Sequence, residues 1–234
     1  MRGAGRRRRA VIAAVVVMAA VVATGCGRRA ADTGGGHADA EEYATVSQIA
    51  ESIAVDGTTI RVGSTRARTT VHLYEDMRCP VCEEFETQGS GQALLDLVMA
   101  GRIRVEYTLA SFLDDRVGGH GSEKAANALR AALDQGRFVE YHEVLYAHQP
   151  EEVVDGYTDA FLLEMASKVD GLRGPEFDAA VKGMKHRDFV AESQKAFDES
   201  GAPGTPTIEV NDQRLPLYEG LFDGQQLTVL LTSL

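Results

Sequence analysis

Cys79-Pro80-Val81-Cys82 stands where an alternating stretch, Thr69–Glu75 (TTVHLYE), gives way to a helical one running to about Ala100. Val71 and Leu73 share one face of that first stretch and His72 and Tyr74 the other, the period of a strand. Proline is favoured in the first turn of a helix, where its missing N–H would be unpaired anyway. Gly89 and Gly91 are expected to kink or interrupt the helix. Gly101 closes it, and Arg102–Leu109 alternates again through Ile103, Val105, Tyr107 and Leu109. Strand, helix and strand in this order form a βαβ unit, which requires a parallel strand pair and a right-handed crossover. Two thiols are thereby placed in the first turn of the crossover helix.

Cysteines three apart in a first helical turn are close enough to form a disulfide. The leading one faces unpaired backbone N–H groups and the positive end of the helix dipole. Both favour thiolate, so the Cys79 pKa should fall well below the free value of about 8.5. A low pKa supplies the attacking anion and also makes a better leaving group. Cys79 is then the nucleophile and Cys82, deeper in the helix, the resolving thiol. A zinc site would need four ligands, and the six histidines (His37, His72, His120, His142, His148, His186) show no pairing, so no metal is expected. A purely structural disulfide across so short a link would constrain the unfolded chain little. No prosthetic group is called for, because a Cys79–Cys82 disulfide would itself carry the electrons.

The third cysteine, Cys26, belongs to a different feature. Residues 2–9 are strongly basic, and residues 10–23 (AVIAAVVVMAAVVA) carry no charge. That run is short for a membrane span but suits the apolar core of a secretory signal. It ends in Val22-Ala23-Thr24-Gly25-Cys26, which resembles the lipobox of bacterial lipoproteins, with Ala23 where leucine is more usual. The expected organisation is a signal peptide over 1–25, a lipidated flexible tether over 26–42 and a folded domain over 43–234. Cys26 would carry the lipid and hold the domain at the outer face of the cell membrane. His37 in the tether has no evident role. The whole-chain charge is −11; without Arg2, Arg6, Arg7, Arg8 and Arg9 it falls to −16. A body that acidic repels phosphate backbones, which argues against a nucleic-acid partner.

Elsewhere the pattern predicts a short helix over 43–54 and a strand at Thr58–Val62. Helices are expected at Ser122–Leu133 (with Ser122 as N-cap), Phe138–His148, Thr158–Val169, Pro175–Met184 and Asp188–Glu199. Strand character returns at Thr205–Val210, followed by an Asn211-Asp212 turn, a partner strand at Arg214–Leu217 and a helix near Gly224–Leu231. The fold class is therefore α/β, a mixed central sheet with a helical insertion at about 113–200 after the first βαβ unit. Pro206 opens a strand that should lie inside the sheet, a poor place for proline unless the Thr205–Pro206 bond is cis and turns the backbone towards the cysteines. His120, set among glycines, reads as a loop residue at the start of a helix.

Three segments in this order resemble the DsbA-like thioredoxin-fold family over roughly residues 58–234. They are Tyr74–Cys82 (YEDMRCPVC) with Phe85, Ser122–Gln149, and Gly201–Thr207 (GAPGTPT). The resemblance implies a thioredoxin fold with inserted helices and disulfide exchange with exported, cysteine-containing proteins. It implies Pro206 as the cis proline beside the thiols, and Thr205 as the residue whose backbone pairs with an extended substrate. Pro80 and Val81 lie at the same substrate-facing surface. Asp76 matches an acidic position that would shuttle protons for Cys82. Strongly oxidising relatives often carry histidine where Val81 stands; its loss, and the charge of Glu83, would both raise the Cys79 pKa. A dithiol oxidase reoxidised by a membrane redox partner is the leading reading. The alternatives are a reductase or isomerase on the same fold, and a non-catalytic peptide- or copper-binding lipoprotein in which Met77 would be the nearby soft ligand.

Overall fold

The computed structural model describes residues 41–233; the basic and apolar N-terminal segments, Cys26 and most of the tether lie outside them. Six strands form one mixed sheet: β1 (Glu51–Ile53), β2 (Ile60–Val62), β3 (Thr69–Asp76), β4 (Ile103–Ala110), β5 (Thr207–Val210) and β6 (Gln213–Arg214). Their spatial order is β1-β2-β4-β3-β5-β6. Among the described strands only β3 and β4 pair in parallel, from Thr69 opposite Ile103 to Asp76 opposite Ala110. The crossover between them is helical, α1 (Pro80–Thr87) and α2 (Ser90–Met99). The break falls at Gly89, whose φ of +113° lies where side chains are disfavoured. Val71, Leu73, Ile103 and Val105 are buried, while Thr70, His72, Arg104 and Glu106 are half-buried. Both central strands become buried on both faces towards their C-terminal ends, where helices cover the sheet.

Between β4 and β5 run α3 (Phe112–Val117), α4 (Gly121–Leu133), α5 (Phe138–Tyr146), α6 (Asp159–Ala166), α7 (Pro175–Lys182) and α8 (Arg187–Ser200). This is the expected insertion. The last helix, α9 (Gly224–Thr232), packs on α2. One apolar core runs from the sheet into the insertion, through Leu73, Phe85, Leu129, Phe138, Tyr141 and Phe177. α8 lies against β4, where the Leu109 N–H donates to Ser193 Oγ at 3.1 Å.

Three local expectations need correction. Residues 43–54 do not form an α-helix: a single 3₁₀ turn at Val46–Gln48 precedes β1. Their helical-looking spacing reflects Tyr43 and Ile49 burying into the core from an irregular segment. Asp56 then turns the chain, its carboxylate accepting the Thr58 and Thr59 N–H groups at 2.7 and 2.8 Å. Ser122 lies inside α4 and is not its cap. Asp114 serves the start of that helix instead, accepting the N–H of Ser122 at 3.0 Å and of Glu123 at 2.9 Å. The predicted strand at Arg214–Leu217 reduces to β6; Leu215 adds one bond to Ile208 O before Pro216, which has no N–H, ends the ladder. Among the described residues no helix is long and apolar enough to cross a membrane.

Candidate active site

The antiparallel register of β5 on β3 sets Thr207 opposite Tyr74. The residues just before Thr207 therefore meet the residues just after Tyr74, at the end of β3 that leads into α1. Cys79 is the residue immediately before α1, and Pro80 occupies its first turn. The Thr205–Pro206 peptide bond is cis and Pro206 is buried. The Cys79 thiol donates to the Thr205 carbonyl at 3.2 Å. The sheet thus brings residues 126 positions apart into contact, and the pair named from the sequence meets in space.

The two thiols are free and differ in environment. Cys79 is 7% exposed, Cys82 is fully buried, and Val81 between them is 39% exposed. The Cys79 pKa is lowered to about 6, first by the Cys82 thiol, against the cost of burial, and then by the Thr205 side chain and the N–H groups of Cys82 and Val81. Thr205 Oγ1 is buried without a partner beside the neutral thiol, a donor free for the anion. Burial pushes the Cys82 thiol well up, and the charges of Glu75 and Cys79 add to it. Glu83, expected to raise Cys79, is not among the leading influences on it.

The backbone before Cys79 is held from the insertion. Gln149 Nε2 donates to the Met77 carbonyl at 2.8 Å and the Cys79 carbonyl at 3.1 Å. Tyr157 Oη donates to Met77 O at 2.9 Å. Arg78, 1% exposed, pairs with Asp114 at 2.7 Å and donates to Gly118 O and Glu152 O. Asp76 accepts from Ser122 Oγ at 2.6 Å, Arg78 N at 3.0 Å and Leu113 N at 3.1 Å. Burial outweighs these donors and pushes its pKa up to about 6.

Glu75 is fully buried, its pKa pushed up to about 8 by burial and further by the Cys79 charge, and its own charge raises Cys82. It meets His142 Nε2 at 2.9 Å, and Glu86 lies in the same cluster. Sequence reasoning named none of Glu75, Glu86, His142, Arg78, Gln149 or Tyr157 for the site. Glu75 does share the quoted YEDMRCPVC segment, and Gln149 ends the Ser122–Gln149 one. Met77 is buried in the core at 1% exposure, and His120 is exposed at the start of α4, paired with Glu123.

Residues 55–221 match the family model described as thioredoxin. The Na(+)/H(+) antiporter NhaA 3 of Salinispora tropica is 30% identical over 171 residues, 73% of this chain and 24% of the antiporter. The chain thus spans about a quarter of that relative's length. Disulfide bond formation protein D of Bacillus subtilis is 26% identical over 157 residues, 65% of this chain and 67% of that protein. Among solved structures, oxidized DsbA of Mycobacterium tuberculosis superposes with a TM-score of 0.63 at 24% identity, covering 75% of this chain and 91% of that one. With the parallel β3–β4 pair, the CxxC at the head of α1 and the helices inserted between β4 and β5, in a fold like that of the solved DsbA, the chain belongs to the thioredoxin family.

Proposed function

We propose that this chain is an exported, lipid-anchored dithiol oxidase that passes a Cys79–Cys82 disulfide to cysteine-containing exported proteins. A substrate thiolate attacks Cys79 Sγ, the Cys79–Cys82 bond breaks, and Cys82 leaves with the electron pair and takes a proton. A second substrate thiolate then attacks the substrate sulfur of the mixed disulfide, and Cys79 departs as a thiolate. The substrate gains a disulfide, the chain is left as a dithiol, and a membrane redox partner withdraws the two electrons. The single observation that carries this direction is the opposed pair of pKa shifts, Cys79 to about 6 and Cys82 upwards. A low-pKa thiol leaves readily and stabilises the reduced protein, the property of an oxidant.

Thr205 and Pro206 would receive an extended substrate segment, with exposed Pro80 and Val81 forming the facing surface. Asp76 is occupied by three donors, so we assign it to holding the loops around the thiols rather than to moving protons. The copper reading loses support because Met77 is enclosed in the core. Export and acylation at Cys26 rest on the signal-like N-terminus.

Cys82→Ala should accumulate mixed disulfides on Cys79 with several cysteine-rich exported proteins, separable on non-reducing gels and identified by mass spectrometry. Capture of one dedicated partner alone would favour the reductase reading. A Cys79–Cys82 midpoint near about −120 mV supports the oxidase, and one near about −270 mV rejects it. Val81→His, which restores a donor beside the thiolate, is expected to lower the pH midpoint of Cys79 alkylation by about 1.

A further inference from the structure

We propose that Glu75, Glu86 and His142 form a divalent-cation site, suited to Zn²⁺, beneath the thiol pair. The residues come from three elements. Glu75 lies near the end of β3, Glu86 sits one helical turn beyond Cys82 on α1, and His142 projects from α5 of the insertion. Each offers a ligand atom, and these atoms all lie within 4.8 Å of one another.

Buried polar atoms converge on this point. Glu75 Oε1, Glu86 Oε1 and Tyr146 Oη are buried with no hydrogen-bond partner. Glu75 and Tyr146 are fully buried and His142 is 3% exposed. Glu75 interacts through its side chain with both Glu86 and Tyr146, so the three groups converge on one point, and a divalent cation there would take the place of the protons they share. Two carboxylates and one such ion sum to zero charge, which an enclosed site requires.

The donor set selects the ion. One imidazole with two carboxylate oxygens suits Zn²⁺ better than the all-oxygen cations Ca²⁺ and Mg²⁺. Zinc bonds of about 2.0–2.1 Å place tetrahedral ligands about 3.3–3.4 Å apart. The 2.9 Å contact between His142 and Glu75 would open by a few tenths of an ångström, and the wider pair would close by rotation of the glutamate side chains. A cavity of about 240 Å³, lined in part by Glu86, His142, Tyr107 and Tyr146, gives access and room for a water as fourth ligand. Phe138, Tyr107 and Tyr146 pack around the His142 ring, with centroids 4.8–5.3 Å away, and fix its orientation. The pairing absent from the histidine spacing arises through the fold, with carboxylates as the other ligands.

The test uses the full chain oxidised across Cys79 and Cys82 and alkylated at Cys26, so that no thiol can chelate. After stripping with a chelator and incubation with Zn²⁺, one equivalent should survive gel filtration, and the unfolding temperature should rise with zinc concentration. Glu86→Gln and His142→Gln, checked for fold by circular dichroism, should each weaken retention by more than about 100-fold, beyond the loss of an outer-shell partner. Co²⁺ in place of zinc should give weak visible bands without a thiolate charge-transfer band. Failure of the unmodified sequence to retain zinc or gain stability overturns the proposal and leaves protons as the occupants of the cluster. Retention unaffected by both variants, or a thiolate band, places the metal elsewhere and overturns it equally. The oxidase reading is tested separately, by mixed disulfides trapped on Cys79, so its failure is distinguishable from failure to hold zinc.

Discussion

Arg78→Met is expected to lower the unfolding free energy by about 3–5 kcal/mol, the cost of breaking a buried ion pair by removing one partner. Methionine replaces much of the apolar stem but none of the donors. Asp114, 8% exposed, would keep its bonds to the N–H groups of Ser122 and Glu123 but lose the guanidinium paired with it. The carbonyls of Gly118 and Glu152 would lose their guanidinium donors as well. Urea titration of the oxidised protein measures the effect as a shift in midpoint at unchanged slope. A loss below about 1 kcal/mol would mean that the guanidinium does not hold these loops. Arg78→Met with Asp114→Leu removes the stranded charge but also the carboxylate that serves α4, so the double variant should recover only part of the loss.

This arginine also marks the limit of what the sequence reveals. Cys79, Cys82 and Pro206 were legible because their chemistry follows from local order: a proline in a first helical turn, thiols three apart, and a proline where a strand should begin. The sheet then needed only the strand order to bring 79 and 205 together. Arg78 carries no local signal of its role, since its partners lie 36 to 74 positions away, in the short helix α3 and in the loops at Gly118 and Glu152. Nothing local marks Glu75 or Glu86, because their placement depends on α5 bringing His142, 67 positions from Glu75, against them. The misread 43–54 segment fails for the opposite reason. Spacing such as that of Tyr43, Val46 and Ile49 records which side chains face the core, and an irregular chain can satisfy it as well as a helix can.

The reduced protein should gain stability over the oxidised protein as pH rises from about 6 to about 9. The sign follows from the Cys79 pKa, about 6 in the folded chain against an ordinary value of 9.0. Between those values the unfolded chain holds a proton that the folded one has released, so folding strengthens with pH. The gain amounts to about 1.4 kcal/mol at pH 7 and about 3–4 kcal/mol once the ordinary thiol value is passed; it disappears as pH falls through 6. Above that window Cys82, whose folded value is raised, works in the opposite sense. Raised carboxyls such as Glu51, at about 7, and Asp76, at about 6, weaken folding as pH rises, but they are present in both redox forms and largely cancel in the difference. The oxidised chain has no ionisable thiol in this pair and should lack the slope. Denaturant titrations of both forms at pH 5 and pH 8 measure it, and iodoacetamide should alkylate Cys79 with a midpoint near pH 6 while sparing Cys82. A reduced form with no pH-dependent advantage would show that the thiolate is not held by Cys82, Thr205 and the helix amides. The same difference sets the couple, since about 1.4 kcal/mol corresponds to about 30 mV for two electrons. A folded state that favours the Cys79 anion therefore pushes electrons onto this chain and its disulfide onto another.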